Sequence, residues 1–428
     1  MSDVRPGDPD GRSTAPDDAA RRAAETAARQ SYGRLIALLT ARTRDIAASE
    51  DALSEALASA LATWPVRGVP ANPDAWLLTA ARNRLSDQHR RAAVAAAAEP
   101  EVARRMADLT APDSDFPDER LKLMFLCAHP AIDRSIRTPL MLQTVLGLDA
   151  ERIAAAFLVA PATMGQRLVR AKSKIKVAGL RIAVPDLDDL PARLSDVLDA
   201  IYAAYGTGWE AIGAHDSAGA GFASEAIYLG RLVCELLPAS AEAKGLLSLM
   251  LHCEARRPAR RDQAGRFVPL SRQDPRAWSR DLIIEAEGLL SIAARHGTFG
   301  RYQCEAAIQS LHVARAMSGP DAAPRFTEPL IGLYRLLVTH HPATGAHVGL
   351  AAALLEAGDA DAAAAALDAL TCAERDGYQP YWVTLAHVLA AQSRTGAARA
   401  AMQRALELTR DPAVRAHLEA TLMPPLAP

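Results

Sequence analysis

The residues best suited to chemistry in this sequence are cations set in a short run. Between Pro161 and Ile182 stand Arg167, Arg170, Lys172, Lys174, Lys176 and Arg181 with no acid among them. Such fixed positive charge suits a phosphate backbone. On a helix Gln166 and Arg170, four residues apart, share one face beside Arg167 and can reach base edges, where a bidentate contact is worth about 1–3 kcal/mol of discrimination. Lys172, Lys174 and Lys176 suit phosphates, which set affinity and salt dependence without reading sequence. A second set, Arg82, Asn83, Arg84, Arg90 and Arg91, lies in WLLTAARNRLSDQHRR. Acids gather earlier, at Glu50, Asp51 and Glu55, interleaved with Leu53 and Leu57. Other chemistry is poorly provided for. His340 and His341 are adjacent, His252 neighbours Cys253, and Cys127 and His129 stand two apart, but none has the further ligands of a metal site or the partners of a nucleophile. No catalytic activity, metal or cofactor is expected.

The elements that must position these groups read as helices throughout. Apolar residues make up 50% of the 428 positions while aromatics are only 5%, and abundant alanine favours helix over sheet. An all-α fold follows. Helical periodicity begins at Tyr32 with Leu35, Leu38 and Leu39, and resumes as Leu53, Ala56, Leu57, Ala60 and Leu61 after Ser49, which serves as an N-cap. Trp64 and Pro65 close that helix. The loop VRGVPANPD precedes a third helix from Ala75, with Trp76, Leu77, Ala80, Ala81 and Leu85 inward. Three or four short helices follow between Arg120 and Lys176. In the final pair Asp149 caps one helix, the turn runs through LVAP, and Pro161 or Ala162 opens the basic helix, the spacing of a helix-turn-helix.

Composition divides the chain. Residues 1–185 carry 26 basic against 22 acidic residues, and the remainder 22 against 28, so the two parts are expected to meet different partners. Residues 1–29, rich in Pro, Gly, Asp and Ser, read as a disordered leader. Domains are expected over residues 30–94 and 119–182, tethered by 95–118 with its acidic, proline-broken APDSDFPDE, and the rest, 183–428, forms a helical extension. Within the extension LLEAGDADAAAAALDAL from Leu354 matches VLAAQSRTGAARAAMQRAL around Leu389, a repeat over roughly 345–410 that suggests tetratricopeptide-like hairpins. The cysteines Cys127, Cys234, Cys253, Cys304 and Cys372 read as buried thiols. With no long apolar run and a polar N-terminus, no membrane contact is expected and the protein is placed in the cytoplasm.

Three stretches in this order carry a resemblance. EDALSEALASALATW from Glu50, AWLLTAARNRLSDQHRR from Ala75 and LDAERIAAAFLVAPATMGQRLVRAKSKI from Leu148 resemble, in turn, the polymerase-clamp helix, the minus-ten helix and the minus-thirty-five helix-turn-helix of a bacterial sigma factor of the extracytoplasmic-function type. LCAHPAIDRSIRTPL, GRYQCEAAIQSLHVARA, ARRPAR and SRQDPRAW resemble the subgroup with a long tetratricopeptide-like C-terminal extension. There are departures: YAAYGTGWEAIGAHDSAGAGF after Ile201 differs from the subgroup's Asn-Glu-Gly-Tyr type of phrase, and Arg152 stands where an acidic residue is common.

The resemblance implies a set of roles. Asp51, Leu53, Glu55 and Leu57 would face core RNA polymerase. Arg67, Arg82, Asn83, Arg90 and Arg91 would bind the minus-ten element as melted single strand, the loop from Arg67 to Asp74 holding a flipped base. Gln166, Arg167, Arg170, Lys172 and Lys174 would bind the minus-thirty-five duplex. The acidic extension is expected to act as a built-in regulator that contacts the basic sigma domains, an arrangement their opposite charge favours. The alternative is a duplex-binding regulator whose tetratricopeptide-like part receives a signal and which does not bind core polymerase.

Overall fold

The computed structural model describes residues 14–43, 45–95, 117–157, 159–177, 187–210, 217–319, 322 and 324–422. Among these, twenty α-helices and no strand are found, with a single antiparallel bridge between Arg261 and Phe267. The fold is all-α. The chain divides into two units, Met1–Thr207 with Gly221–Ala223, and Gly208–Ala220 with Ser224–Pro428.

In the first unit α1 (Thr14–Gln30) is a helix where an unstructured leader to residue 29 was expected. Ala20, Ala24 and Ala27, buried one turn apart, lie on one stripe, and this helix packs on α3 (Ile46–Arg67). The small residues of this stripe let the two helices approach closely. Residues 1–13 of that expected leader lie outside the described residues. In α2 (Tyr32–Thr43) Leu35, Ile36 and Leu39 are buried, each contributing about 1.5–3 kcal/mol.

The start of α3 differs from the sequence expectation. Asp45, not Ser49, is its N-cap, accepting from Ala48 N at 3.0 Å. Ser49 is buried one turn in, its hydroxyl donating to Asp45 O at 2.8 Å and 2.9 Å from the Thr43 hydroxyl. The helix runs through Pro65 and stops at Gly68, whose φ of 84° suits glycine and whose N–H returns to Trp64 O. Asn72 Oδ1 then accepts from Ala75 N at 3.0 Å at the head of α4 (Pro73–Ala95). Leu77, Ala81 and Leu85 are buried on α4, and Trp64 meets Trp76 edge to face at 5.5 Å.

Four more helices follow: α5 (Glu119–Cys127), α6 (Arg134–Thr144), α7 (Ala150–Ala156) and α8 (Pro161–Val177). Asp118, Asp133 and Asp149 cap the first three. Phe125, Met124, Leu140, Met141, Ile153, Met164 and Leu168 form their shared interior. This group sits against α2 and α3. A Cβ added to Gly33 would stand 1.6 Å from Val145 O, so only glycine permits this approach, and the Tyr32 ring lies against Gly147. Burial, with the Glu50 carboxylate adding to it, holds the Tyr32 phenol above the usual tyrosine range.

The first unit also takes in most of α9 (Leu190–Glu210), which the charge division assigned to the extension. Asp196, buried, accepts from Arg137 at 2.6 Å and from Arg134 at 3.3 Å, and buried Arg193 donates to Phe125 O at 3.2 Å. The boundary therefore falls near residue 207, because this buried ion cluster ties α9 to α5 and α6.

The second unit is a succession of helices: α10 (Ser217–Leu236), α11 (Ala241–Ala255), α12 (Arg280–Ala294), α13 (Arg301–Ser318), α14 (Pro324–His340), α15 (Thr344–Glu356), α16 (Ala360–Asp368), α17 (Cys372–Arg375), α18 (Gln379–Ala391), α19 (Thr395–Leu408) and α20 (Pro412–Leu422). Glu242 crosses from α11 to accept from the N–H groups of Tyr302 and Gln303 at the head of α13. Cys372 is exposed, not buried as expected, because it opens the short helix α17 at the surface.

Candidate nucleic-acid interface

The basic helix α8 owes its orientation to its apolar stripe. Met164, Leu168, Ala171 and Ile175 are buried, so the opposite face is left to solvent. On it stand Gln166, Arg167, Arg170 and Lys174, all exposed. Gln166, Arg170 and Lys174 form one row at four-residue spacing. Asp149 Oδ1 accepts from Arg152 N at 2.8 Å to fix the head of α7, and Val159 N–H returns to Ala154 O at 3.1 Å in the turn before Pro161.

Lys172 does not join that row. It turns to α3, where its Nζ lies 2.5 Å from Glu50 Oε2, with the two side chains only 12% and 16% exposed. Lys176 follows it, 3.0 Å from Asp45. The expected phosphate role of Lys172 is thus not available in this arrangement, for its charge is spent on a carboxylate. Arg181 lies outside the described residues.

On α4, Arg82, Asn83, Arg84 and Arg90 are exposed opposite Leu77, Ala81 and Leu85. Arg90 pairs with Asp87 at 2.9 Å and Arg84 with Glu55 at 3.5 Å. The side chain of Arg91 lies outside the described residues. Arg67 is exposed at the end of α3. Beside it the structure shows apolar groups that the sequence reading left unassigned: Val66 is 83% exposed, and Val69 is also exposed in the loop that follows. A valine at a helix end carries no period that marks it as outward.

The acidic row of α3 needs one correction. Asp51 and Glu55 are exposed and Leu57 half-buried, but Leu53 is 0% exposed and belongs to the core. Two residues on from Asp51 is half a helical turn, which places Leu53 on the opposite side. The exposed leucine on this helix is Leu61.

Among the described residues no other such constellation is assembled. Cys127 is buried 3.7 Å from the Thr144 hydroxyl, and burial pushes its thiol up to about 12. His129 Nδ1 accepts from Ala131 N, shaping a turn. Among the described residues no group of three or more His, Cys, Asp or Glu is placed to hold a metal, and no helix is long and apolar enough to cross a membrane.

Residues 28–94, which hold α2, α3 and α4, match sigma-70 region 2. The chain carries a sigma-70 region 2 domain. Residues 193–294 match a family of unknown function (DUF6596), beginning within α9 and ending in α12. A protein of Rhizobium meliloti (strain 1021), itself described as uncharacterized, is 35% identical over 389 residues, which is 89% of this chain and 90% of that protein. No solved structure matches. The sigma-70 match ties α3 and α4 to transcription initiation and leaves α8 to be argued from its geometry.

Proposed function

We propose that this protein is a sigma-70 family initiation subunit, dissociable and of the extracytoplasmic-function type, that binds core RNA polymerase and grips promoter DNA at two points. The observation that carries the reading is the exposed row Gln166, Arg170 and Lys174 on a capped two-helix unit, in a chain whose preceding domain matches sigma-70 region 2. A helix with a buried apolar stripe and an outward row of this kind fits the major groove, reading bases through Gln166, Arg167 and Arg170 and holding phosphate through Lys174.

Arg82, Asn83 and Arg90 would follow the melted minus-ten strand, with Arg67, Val66 and Val69 around the loop that takes an unstacked base. Asp51 and Glu55 would meet cations of the polymerase clamp, with Leu61 as the apolar anchor. The acidic remainder, built from repeated helical hairpins of tetratricopeptide-like type, would regulate these basic surfaces from within the same cytoplasmic chain.

Run-off transcription on genomic DNA with purified core polymerase tests the proposal. Specific start sites are expected with the full chain and altered yield with a chain ending after Thr207, which keeps Asp196 and its arginines together. Duplex binding without retention on core polymerase would instead support the regulator that acts alone.

A further inference from the structure

Arg256 follows α11 as its C-cap with its side chain buried, and its guanidinium has only neutral acceptors. Nε donates to His252 O at 3.3 Å, and Nη2 donates to Gln309 Oε1 on α13 at 2.5 Å and lies 3.7 Å from Cys253 Sγ. No carboxylate pairs with it among the described residues. The acids nearby are engaged elsewhere: Glu254 with Arg257 at 2.7 Å, Glu305 with Arg301 at 2.8 Å, and Glu356 with Arg315. A buried cation without a counter-ion is costly, and such groups gather at functional sites. Around the guanidinium stand donors with nothing to bind. Arg256 Nη1, Gln309 Nε2 and the His312 ring make no hydrogen bond among the described residues, yet none of them is sealed from solvent, unlike the nitrogens of His252. Gln309 and His312, three residues apart on α13, share one face. Burial, with the Arg256 and Arg315 guanidiniums adding to it, holds His312 down to about 4, so the ring is neutral at pH 7.

We propose that Arg256, Gln309 and His312 form a binding site for the carboxylate of a small organic acid, held between α11 and α13 of the second unit. The set carries one unbalanced positive charge with neutral donors beside it. A planar guanidinium with one charge to balance matches a monoanionic carboxylate, whereas a phosphate dianion would leave negative charge over. Arg256 is only 7% exposed, which admits a small head group and excludes a bulky one. The site goes beyond the initiation reading and does not depend on it.

The test is isothermal titration calorimetry on the full chain with sodium acetate, benzoate and octanoate, with benzamide as the neutral counterpart of benzoate and inorganic phosphate as the dianion. At least one of the three acids is expected to bind, and benzamide is not. Arg256→Met keeps the aliphatic length and removes the charge. It is expected to weaken the bound acid at least about tenfold while thermal unfolding stays unchanged or rises, because no buried counter-ion is left behind. Gln309→Leu and His312→Phe leave the guanidinium in place and are each expected to weaken the same acid severalfold, with circular dichroism confirming that the helices persist. Binding of phosphate more tightly than every acid, or of benzamide as tightly as benzoate, overturns the carboxylate assignment. Binding of none of the three acids, or an affinity untouched by all three substitutions, overturns the site.

Discussion

Ser393 stands thirty-five residues after Gly358 and repeats its left-handed backbone, with φ of 60° at the serine and 90° at the glycine. The surrounding bonds repeat as well. Asp359 N–H returns to Leu354 O at 3.0 Å, and Arg394 N–H to Leu389 O at 2.8 Å. Ala363 and Ala398 then occupy matching buried positions in α16 and α19. The internal repeat is therefore one turn geometry used twice, and it is met by glycine in the first hairpin and by a residue with a Cβ in the second.

That difference carries a stability prediction. A left-handed backbone costs a residue with a Cβ about 1–2 kcal/mol, part of which glycine gives back through its freer unfolded state. Ser393→Gly is expected to stabilise the chain by up to about 1 kcal/mol, and Gly358→Ala to cost about 1 kcal/mol or more. Urea unfolding followed by circular dichroism checks both, and a destabilised Ser393→Gly would contradict the account.

Local signals were legible where the chain answers to itself. Asp149 marks the start of α7 and Pro161 the start of α8, and Met164, Leu168 and Ile175 give the inward stripe of α8, as the sequence spacing predicts. Ser49 was misleading because Asp45, four residues earlier, offers a better cap and leaves the serine hydroxyl to the helix carbonyl. Leu53 was assigned with its acidic neighbours, though its position on the helix turns it inward. The partner of Lys172 could not be read at all, since no local pattern announces a carboxylate 122 residues away. Tertiary contacts decided what propensity left open.

The cations of α8 should separate by role in binding assays. Arg170→Ala is expected to relax base preference by about 1–3 kcal/mol at one position of the promoter. Lys174→Ala should weaken all duplexes alike and flatten the salt slope by about one unit. Competition binding over a panel of single-base promoter variants measures both, and equal sequence-independent losses would refute the division.

Core and surface leucines of α3 should also part company. Leu53→Ala removes a fully buried side chain and is expected to cost about 2–5 kcal/mol of stability. Leu61→Arg lies on an exposed face and should cost no more than about 0.5 kcal/mol, yet with Asp51→Arg it should abolish retention on core polymerase. Thermal unfolding and a pull-down separate the two effects. Wild-type retention by the Leu61, Asp51 pair of substitutions would remove this face from the interface.

The joint between α9 and the helices before it depends on Asp196. Asp196→Ala leaves Arg137 and Arg134 without their buried carboxylate, and Arg137 is itself only 14% exposed at its side chain. Breaking one partner of such a cluster costs on the order of 3–5 kcal/mol. The expected result is faster proteolysis around residue 190 in the full chain, with α18 and α19 still protected in hydrogen exchange. Protection unchanged at α9 would show that apolar contacts from Leu190, Val197 and Ile201 suffice.

Acid should loosen the second unit through His252. The ring is 0% exposed, neither nitrogen has a hydrogen-bond partner, and the nearest carboxylate, Glu287 Oε1, lies 3.5 Å from Nε2. Burial, with the Arg256 guanidinium adding to it, pushes His252 down to about 4, against an ordinary value of 6.5. The folded state therefore binds this proton less readily than the unfolded state. Stability from the neutral ring is complete above pH 6.5 and is lost as pH falls from there toward about 4. The loss approaches on the order of 3 kcal/mol at the acid end. His312, lowered to about 4 chiefly by burial, acts in the same direction. Unfolding of the full chain between pH 7.5 and 5 should show falling stability that His252→Gln reduces, because glutamine carries no titrating proton. An equal pH slope in the variant would assign the effect elsewhere.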